Sequence, residues 1–437
     1  MGIPTLQGLQ TALSGLLAEQ QAMDITGHNI ANADSEGYSR EVAVLAPNLP
    51  IEVAALSNVT GKGGQLGTGV GVETYERIRN SYLDAQYRTQ NGALSASSTQ
   101  AEELLQTQGA FNEPSSSGLA NALSSFWSTW TSLGDSPTSE AAKEGVVAAG
   151  QRLASSFNQI NAQLATIAGQ AEQQYAARTG PSGEVADYGH QIAELNEQIR
   201  LAEQGGQQPN QMLDRRDQLL DKLSALAQVT VTHEQDGTDT VTFGNAAKPL
   251  VQGTEVNWPQ GLTAAAGGQL GALLGLTAPG GGIASVQAGL NAVAAKVIET
   301  VNSLHTATPF FAGNSAATIA VAVSAAQVQT SSTPAAGGND VALAIAGLRG
   351  GAADQAYSSL IERVGSEVQT AQDEQANLKT TLTAISNQRQ SVSGVSLDEE
   401  MTNLMANQRA YQASARTLTG LDEMLETLIE HTGKAGL

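Results

Sequence analysis

The sequence predicts a mainly α fold with a smaller β part (α+β): terminal coiled-coil helices, a long antiparallel helical bundle and a small β-rich subdomain. Apolar residues recur at alternating steps of three and four at both ends of the chain. A 3.6-residue period governs most of the middle, and the period falls to two only in short stretches bounded by turn residues. At 437 residues the chain is long enough for two or three domains with a substantial core.

Pro4 suits the first turn of the opening helix, where its missing N–H does no harm. Leu6, Leu9, Leu13, Leu16, Gln20, Met23, Gly27 and Ile30 then keep heptad spacing. That is the seam of a helix that buries one narrow stripe against partner helices. Asp34-Ser35-Glu36-Gly37 reads as a tight turn, and residues 38–80 are strand- and turn-like, with Val42 and Val44, then Val70, Val72 and Tyr75, in alternation. From Tyr82 to Gln228 the pattern is helical. Leu119, Leu123, Phe126, Trp127, Trp130 and Leu133 form one amphipathic face, which makes both tryptophans core residues. Gly180-Pro181-Ser182-Gly183 and the loop from Gly205 to Asn210 separate further helices, as an antiparallel bundle requires.

Val229 and Val231 alternate before Asp236-Gly237, and Val241 and Phe243 alternate after it, which marks a β-hairpin; Pro249-Leu250-Val251 adds a short strand. A glycine-rich tract from Gly261 to Gly282 leads to a helix through Val286, Leu290, Val293, Val297 and Val301. Residues 306–350, rich in Ala, Ser, Thr and Gly, read as irregular or weakly β. Helical pattern resumes from Ala353 to Gln390. After Gly394, Ser396 and Glu399 form a capping box, and Asp398, Glu399 and Glu400 favour the positive end of the last helix. Its seam is Leu397, Met401, Leu404, Gln408, Tyr411, Ala415, Leu418, Asp422, Leu425 and Ile429. The expected domains are 1–40 with 392–437 (terminal helical), 41–228 with 283–305 and 353–391 (helical bundle with short strands at its base), and 229–282 (small β-rich). Residues 306–352 form a short connection.

Composition narrows the function. With 21 Lys+Arg against 42 Asp+Glu the net charge is −21, which argues against nucleic acid and anionic membrane surfaces as partners. The absence of cysteine excludes disulfides and thiolate chemistry. No run approaches the ~18 apolar residues of a membrane span, and Met1-Gly2-Ile3-Pro4 carries no basic region of a cleaved secretory signal. Leu6 stands where a myristoylation signal has Ser or Thr. His28, His190, His233, His305 and His431 are scattered without metal-ligand spacing. Gly67-Thr68-Gly69-Val70-Gly71 lacks the Lys-Ser/Thr of a phosphate loop and reads as a turn beside a strand. No nucleophile elbow is present, and capping explains Asp398–Glu400. Asn58-Val59-Thr60 fits a glycosylation sequon only formally. The expectation is no catalytic residue, no metal and no cofactor.

The two ends cannot stand alone. Ordering each residue costs roughly 1–2 kcal/mol of backbone entropy, while each fully buried seam residue returns about 1.5–3 kcal/mol. An isolated amphipathic helix is therefore marginal. Pairing the two terminal helices buries one stripe of each and leaves Leu17, Ile25, Met405 and Leu421 as a second contact surface. Both ends are expected to be mobile in the free chain and ordered in a polymer.

Asn29-Ile30-Ala31-Asn32 with Gly37-Tyr38-Ser39-Arg40, and Gln408-Arg409-Ala410-Tyr411-Gln412 with Asp422-Glu423-Met424-Leu425, resemble the terminal signatures of the axial proteins of the bacterial flagellum. Ser393–Glu400, Leu195-Asn196-Glu197-Gln198-Ile199, Leu213–Leu220, the Val229–Val231 strand and Val301-Asn302-Ser303-Leu304-His305 before Phe310-Phe311 resemble the hook-associated protein 1 family. Many members carry a larger outer domain where this chain has only the 306–352 connection. The resemblance implies a structural, non-enzymatic protein at the junction between hook and filament, polymerised through its terminal helices into a ring-like homo-oligomer. It also implies hook protein on one side, a second junction protein on the filament side, an export chaperone, and export without a cleaved signal to an extracellular flagellum. The implied assembly residues are Leu6, Leu9, Leu13, Leu16, Met23, Asn29, Ile30, Asn32, Gly37, Tyr38 and Arg40 at one end. At the other they are Leu397, Met401, Leu404, Gln408, Tyr411, Leu418, Leu425 and Ile429. Tyr38 and Arg40 either close a turn or dock a neighbouring subunit, and Gln20, Gln408 and Asp422 are either tolerated or set the register. Alternatives are hook protein, disfavoured by the helical middle, flagellin, and a secreted adhesin or enzyme with coiled-coil ends.

Overall fold

The computed structural model describes residues 4–53, 64–333 and 337–432, with the backbone alone at 4–6, 52–53, 64 and 431–432. It is mainly helical with small antiparallel sheets, the class the sequence predicts. The chain opens with α1 (Pro4–Ala31), and the Asn32 side chain donates from Nδ2 to the His28 carbonyl at 3.0 Å to close it. β1 (Glu41–Pro47), β2 (Ile51–Val53), β3 (Gly64–Leu66) and β4 (Val70–Arg77) follow. β1 pairs with β4, Glu41 opposite Arg77 and Pro47 opposite Val70, with a bulge between Val44 and Leu45; β2 pairs with β3. This ribbon lies on α1. The Val70 amide donates to Ser14 Oγ at 3.2 Å. Gly69, at φ +104°, approaches Ser14 and Thr11 too closely for any side chain.

α2 (Ser81–Gly109) starts at Asn80, whose Oδ1 accepts the Tyr82 and Leu83 amides at 3.0 and 3.3 Å. α3 (Leu119–Asp135) packs on α4 (Glu140–Thr179), burying Phe126, Trp127, Trp130 and Leu133 against Val146, Leu153 and Phe157. α5 (Glu184–Gln204) and α6 (Asn210–Leu226) lead into β5 (Val229–His233) and β6 (Asp239–Phe243), a hairpin pairing Val229 with Phe243. β7 (Val251–Gln252) and β8 (Glu255–Val256) complete a four-stranded sheet. Arg216 of α6 ties helix to sheet: its Nε lies 2.9 Å from Asp239, and its Nη1 donates to Asn196 Oδ1 and the Gly237 carbonyl, each at 2.9 Å.

Two stretches differ from expectation. The glycine-rich tract contains α7 (Gly268–Thr277), whose Leu270, Leu273 and Leu276 are buried. Burial of this leucine face outweighs the helix cost of about 1 kcal/mol per glycine. Gly271 is needed for the approach, because a Cβ there would sit 2.8 Å from the Ala264 carbonyl. After α8 (Gly282–Leu304) comes the second stretch, 306–352. β9 (Phe311–Ala312) pairs with β10 (Ala320–Val321), and α9 (Asp340–Ala346) packs on α3. Phe310, Phe311, Ile319, Val341 and Ile345 join the core of Trp130. His305 fastens this stretch, donating from Nδ1 to the Thr308 carbonyl at 2.5 Å and accepting the Gln329 amide at Nε2 at 2.8 Å. Apart from α9 the backbone keeps the irregular and weakly β character expected, yet the stretch is woven into the bundle, where Phe310 and Phe311 anchor it. α10 (Ala352–Ser393) then packs along α2 and α8, and α11 (Leu397–Thr432) lies against α1.

Candidate assembly interface

The contact between α1 and α11 runs on small residues. A Cβ at Gly8 would meet Leu421 Cδ1 at 3.3 Å, and one at Gly15 would meet Ser414 Oγ at 3.2 Å. Asn29 Nδ2 donates to Glu400 Oε2 at 3.1 Å. Each seven-residue step along α1 is matched by seven residues back along α11, so the pair is antiparallel and in heptad register throughout. That register sets Ala22 opposite Asn407.

This seam is offset from the leucine stripe that the sequence suggests. Leu9, Leu16, Met23 and Ile30 are half-buried beside it, and Leu13 is 47% exposed. The Leu6 side chain lies outside the described residues. On α11, Leu404, Tyr411, Leu418 and Leu425 are half-buried and share the heptad of Ser414 and Leu421. Leu397, Met401, Gln408 and Ile429 are exposed. Leu421, expected outside, packs on Gly8; Leu17 and Met405 do stay exposed, and Ile25 is half-buried. Glycine and serine at the contact let the two backbones approach, and leucines there would hold them apart. Gln20, Gln408 and Asp422 all face solvent.

At the base of the helix pair Asn29 is the node. It is 1% exposed, and all four of its hydrogen-bonding positions are used. Nδ2 donates to Glu400 and to the Glu41 carbonyl (2.8 Å), while Oδ1 accepts the Glu41 amide (3.0 Å) and the Tyr38 hydroxyl (2.7 Å). Tyr38 also meets His28 Nδ1 at 3.1 Å, and burial pushes its hydroxyl pKa well up. Ser39 donates its amide and hydroxyl to Asp214 of α6 at 3.0 and 2.7 Å. The Arg40 amide donates to the Ser393 carbonyl at 2.9 Å, and its guanidinium pairs with Glu399 at 2.7 Å. The predicted capping box is therefore half-made: Ser396 Oγ accepts the Glu399 amide at 3.4 Å, but the Glu399 carboxylate turns to Arg40. Gly37 adopts φ +76° against Gln218, where no other side chain has room. Asn32 only closes α1, capped in turn by Ser35 at 3.1 Å.

Beneath this node lies an ion network that the sequence reading missed. Arg77 pairs with Asp214 (2.7 Å) and Asp217 (3.1 Å), and Arg79 with Asp84 (2.7 Å) and Asp217 (3.3 Å). Arg88 holds Asp217 and Asp221, both at 2.9 Å, and Arg389 of α10 holds Asp84 and Asp221, both at 2.7 Å. Four arginines and four aspartates from β4, the link that follows it, α2, α6 and α10 thus balance in charge. Burial alone would raise the Asp217 carboxyl, but Arg79, Arg88 and Arg77 hold it below the usual range. The available signal was Asp214, Asp217 and Asp221 at steps of three and four, one face of α6, in a chain whose arginines cluster at 77–88.

Among the described residues no group of three or more His, Asp or Glu is placed to hold a metal, and no helix is long and apolar enough to cross a membrane. What is built is a hydrogen-bonded and ion-paired joint carrying a helix pair with apolar residues on its outer side. A family model described as Flagellar hook-associated protein FlgK helical domain matches residues 104–260. Those for the Flagella basal body rod protein and the Flagellar basal body rod FlgEFG protein C-terminal match 9–38 and 386–430. Flagellar hook-associated protein 1 of Bacillus subtilis is 29% identical over 507 residues, covering 99% of both chains. The Salmonella typhimurium protein of that name is 30% identical over 245 residues, 56% of this chain and 42% of its own length. The chain thus spans less than half of the Salmonella relative. A solved structure titled as the flagellar hook junction protein FlgK from Burkholderia pseudomallei aligns over 52% of this chain and 46% of its own, with 24% identity and a TM-score of 0.45.

Rod-type terminal helices flanking a helical middle define an axial structural protein of the flagellum. Within that class the chain is similar along its whole length to flagellar hook-associated protein 1, and it is a structural, hook-associated protein of the flagellum.

Proposed function

We propose that this chain polymerises through its paired terminal helices into a ring-like homo-oligomer, with hook protein on one side and a second junction protein on the filament side. In this reading it passes an export chaperone, leaves the cell without a cleaved signal and works outside it as a mechanical part rather than a catalyst. One observation carries the proposal. The inner face of the α1–α11 pair is satisfied within the chain by Gly8–Leu421, Gly15–Ser414 and Asn29–Glu400. Its outer side still exposes about half of Leu13, Leu17, Leu397, Met401 and Met405. Apolar residues gathered at one end of a subunit favour burial between copies.

Deleting the gene is expected to leave intact hooks without filaments, with filament subunits shed into the medium. A chain trimmed of α1 and α11 should fail to restore them. Trimmed chains that still join hook to filament would overturn the proposal, and glycosidase or peptidase activity in the purified protein would contradict the structural role.

A further inference from the structure

The chain has six methionines and no cysteine, so its only sulfur is thioether. Three of the six, Met401, Met405 and Met424, lie on α11 and are 48%, 50% and 57% exposed. Met401 and Met405 stand one helical turn apart, and Leu397, one turn earlier, is 53% exposed. Met23 on α1 is half-buried, and Met212 on α6 is 36% exposed. Methionine sulfur oxidises where solvent reaches it, and the sulfoxide turns a flexible apolar side chain into a polar one.

We propose that Met401, Met405 and Met424 are peroxide-sensitive modification sites that control whether the chain can assemble. In the reaction a thioether lone pair attacks a peroxide oxygen and the O–O bond breaks. The S–O bond forms, sulfur loses two electrons, and the peroxide leaves as water. Before assembly the three thioethers meet solvent. In the ring, and here the inference rests on the function proposed above, they are covered. A sulfoxide buried there lacks a hydrogen-bond partner, so oxidation blocks incorporation and incorporation protects against oxidation.

The test treats the purified full chain with dilute hydrogen peroxide, before and after assembly, and follows each methionine by peptide mass spectrometry. In the free chain Met401, Met405 and Met424 should oxidise ahead of Met212. In assembled material the three on α11 should be protected. Oxidised chain should self-associate at least tenfold more weakly than untreated chain by sedimentation. The M401L/M405L/M424L variant should associate normally with or without peroxide. Oxidation of Met212 before the three, or equal oxidation in free and assembled chains, would overturn the inference. Oxidised wild type that associates as well as untreated would overturn it alone. An untreated chain that never associates would overturn the proposed function as well.

Discussion

The bundle and the terminal helix pair belong to one chain but bury residues in opposite ways. In the bundle Phe126, Trp127, Trp130, Phe157, Phe310 and Phe311 are all but inaccessible, and the rings other than that of Phe157 pack tilted or edge-on at 4.8 to 6.2 Å. In the helix pair Gly8 and Gly15 of α1 abut Leu421 and Ser414 of α11, and large apolar residues remain outside. A fully buried Leu or Phe contributes about 1.5–3 kcal/mol, while a glycine contact contributes little beyond proximity. The bundle holds its own fold; the pair sets a register and leaves its binding energy for another chain. The Asn29 node and the arginine–aspartate network join the two and keep that register aimed.

The comparison can be broken first at the core. Trp130→Ala should cost about 3–5 kcal/mol in denaturant unfolding of the bundle and leave the α1–α11 register intact. Asn29→Ala should cost less, about 1–3 kcal/mol, because it strands Glu400 and the Glu41 backbone without partners. Its readout is different: loss of helicity at the ends with the bundle midpoint almost unmoved.

A third expected effect depends on pH. Burial holds the His305 pKa below the ordinary histidine value, and Nε2 must stay unprotonated to accept the Gln329 amide. The folded value lies below the unfolded one, so this stability is fully present above about pH 6.5 and is lost as pH falls through the lowered folded value. Wild-type chain should lose bundle stability on acidification below about pH 6.5, and His305→Gln should flatten that dependence. Unchanged acid sensitivity in the variant would remove His305 from the account. The smallest effect is Arg40→Ala. Its Glu399 partner is 64% exposed, so the pair is worth about 0–1 kcal/mol, measurable only as slightly faster fraying of the first turn of α11.

The heptad at each end was readable, because steps of three and four need only sequence. Which face met which was not. Gly8 and Gly15 carry no hydropathy signal, yet they decide how closely the helices approach, so the predicted seam fell on the adjacent leucines. The hairpin at Asp236-Gly237 and the break at Gly180–Gly183 were legible because turn chemistry is local. α7 and α9 were not, since tertiary burial of a few leucines, valines and isoleucines overrides low helix propensity. Tyr38 and Arg40 were singled out in the sequence, but Asp214, Ser393 and Glu400, which receive that segment, lie 175 to 371 residues from their partners in this joint. No local pattern reports such distances.

Amide hydrogen exchange on the free chain and on assembled material tests the central claim most directly. The expected result is rapid exchange along α1 and α11 in dilute free chain, slow exchange in α3, α4 and α8, and strong protection of α1 and α11 only after assembly. Terminal helices as protected as the bundle in the free chain would contradict it, because the small-residue seam would then suffice without a neighbour.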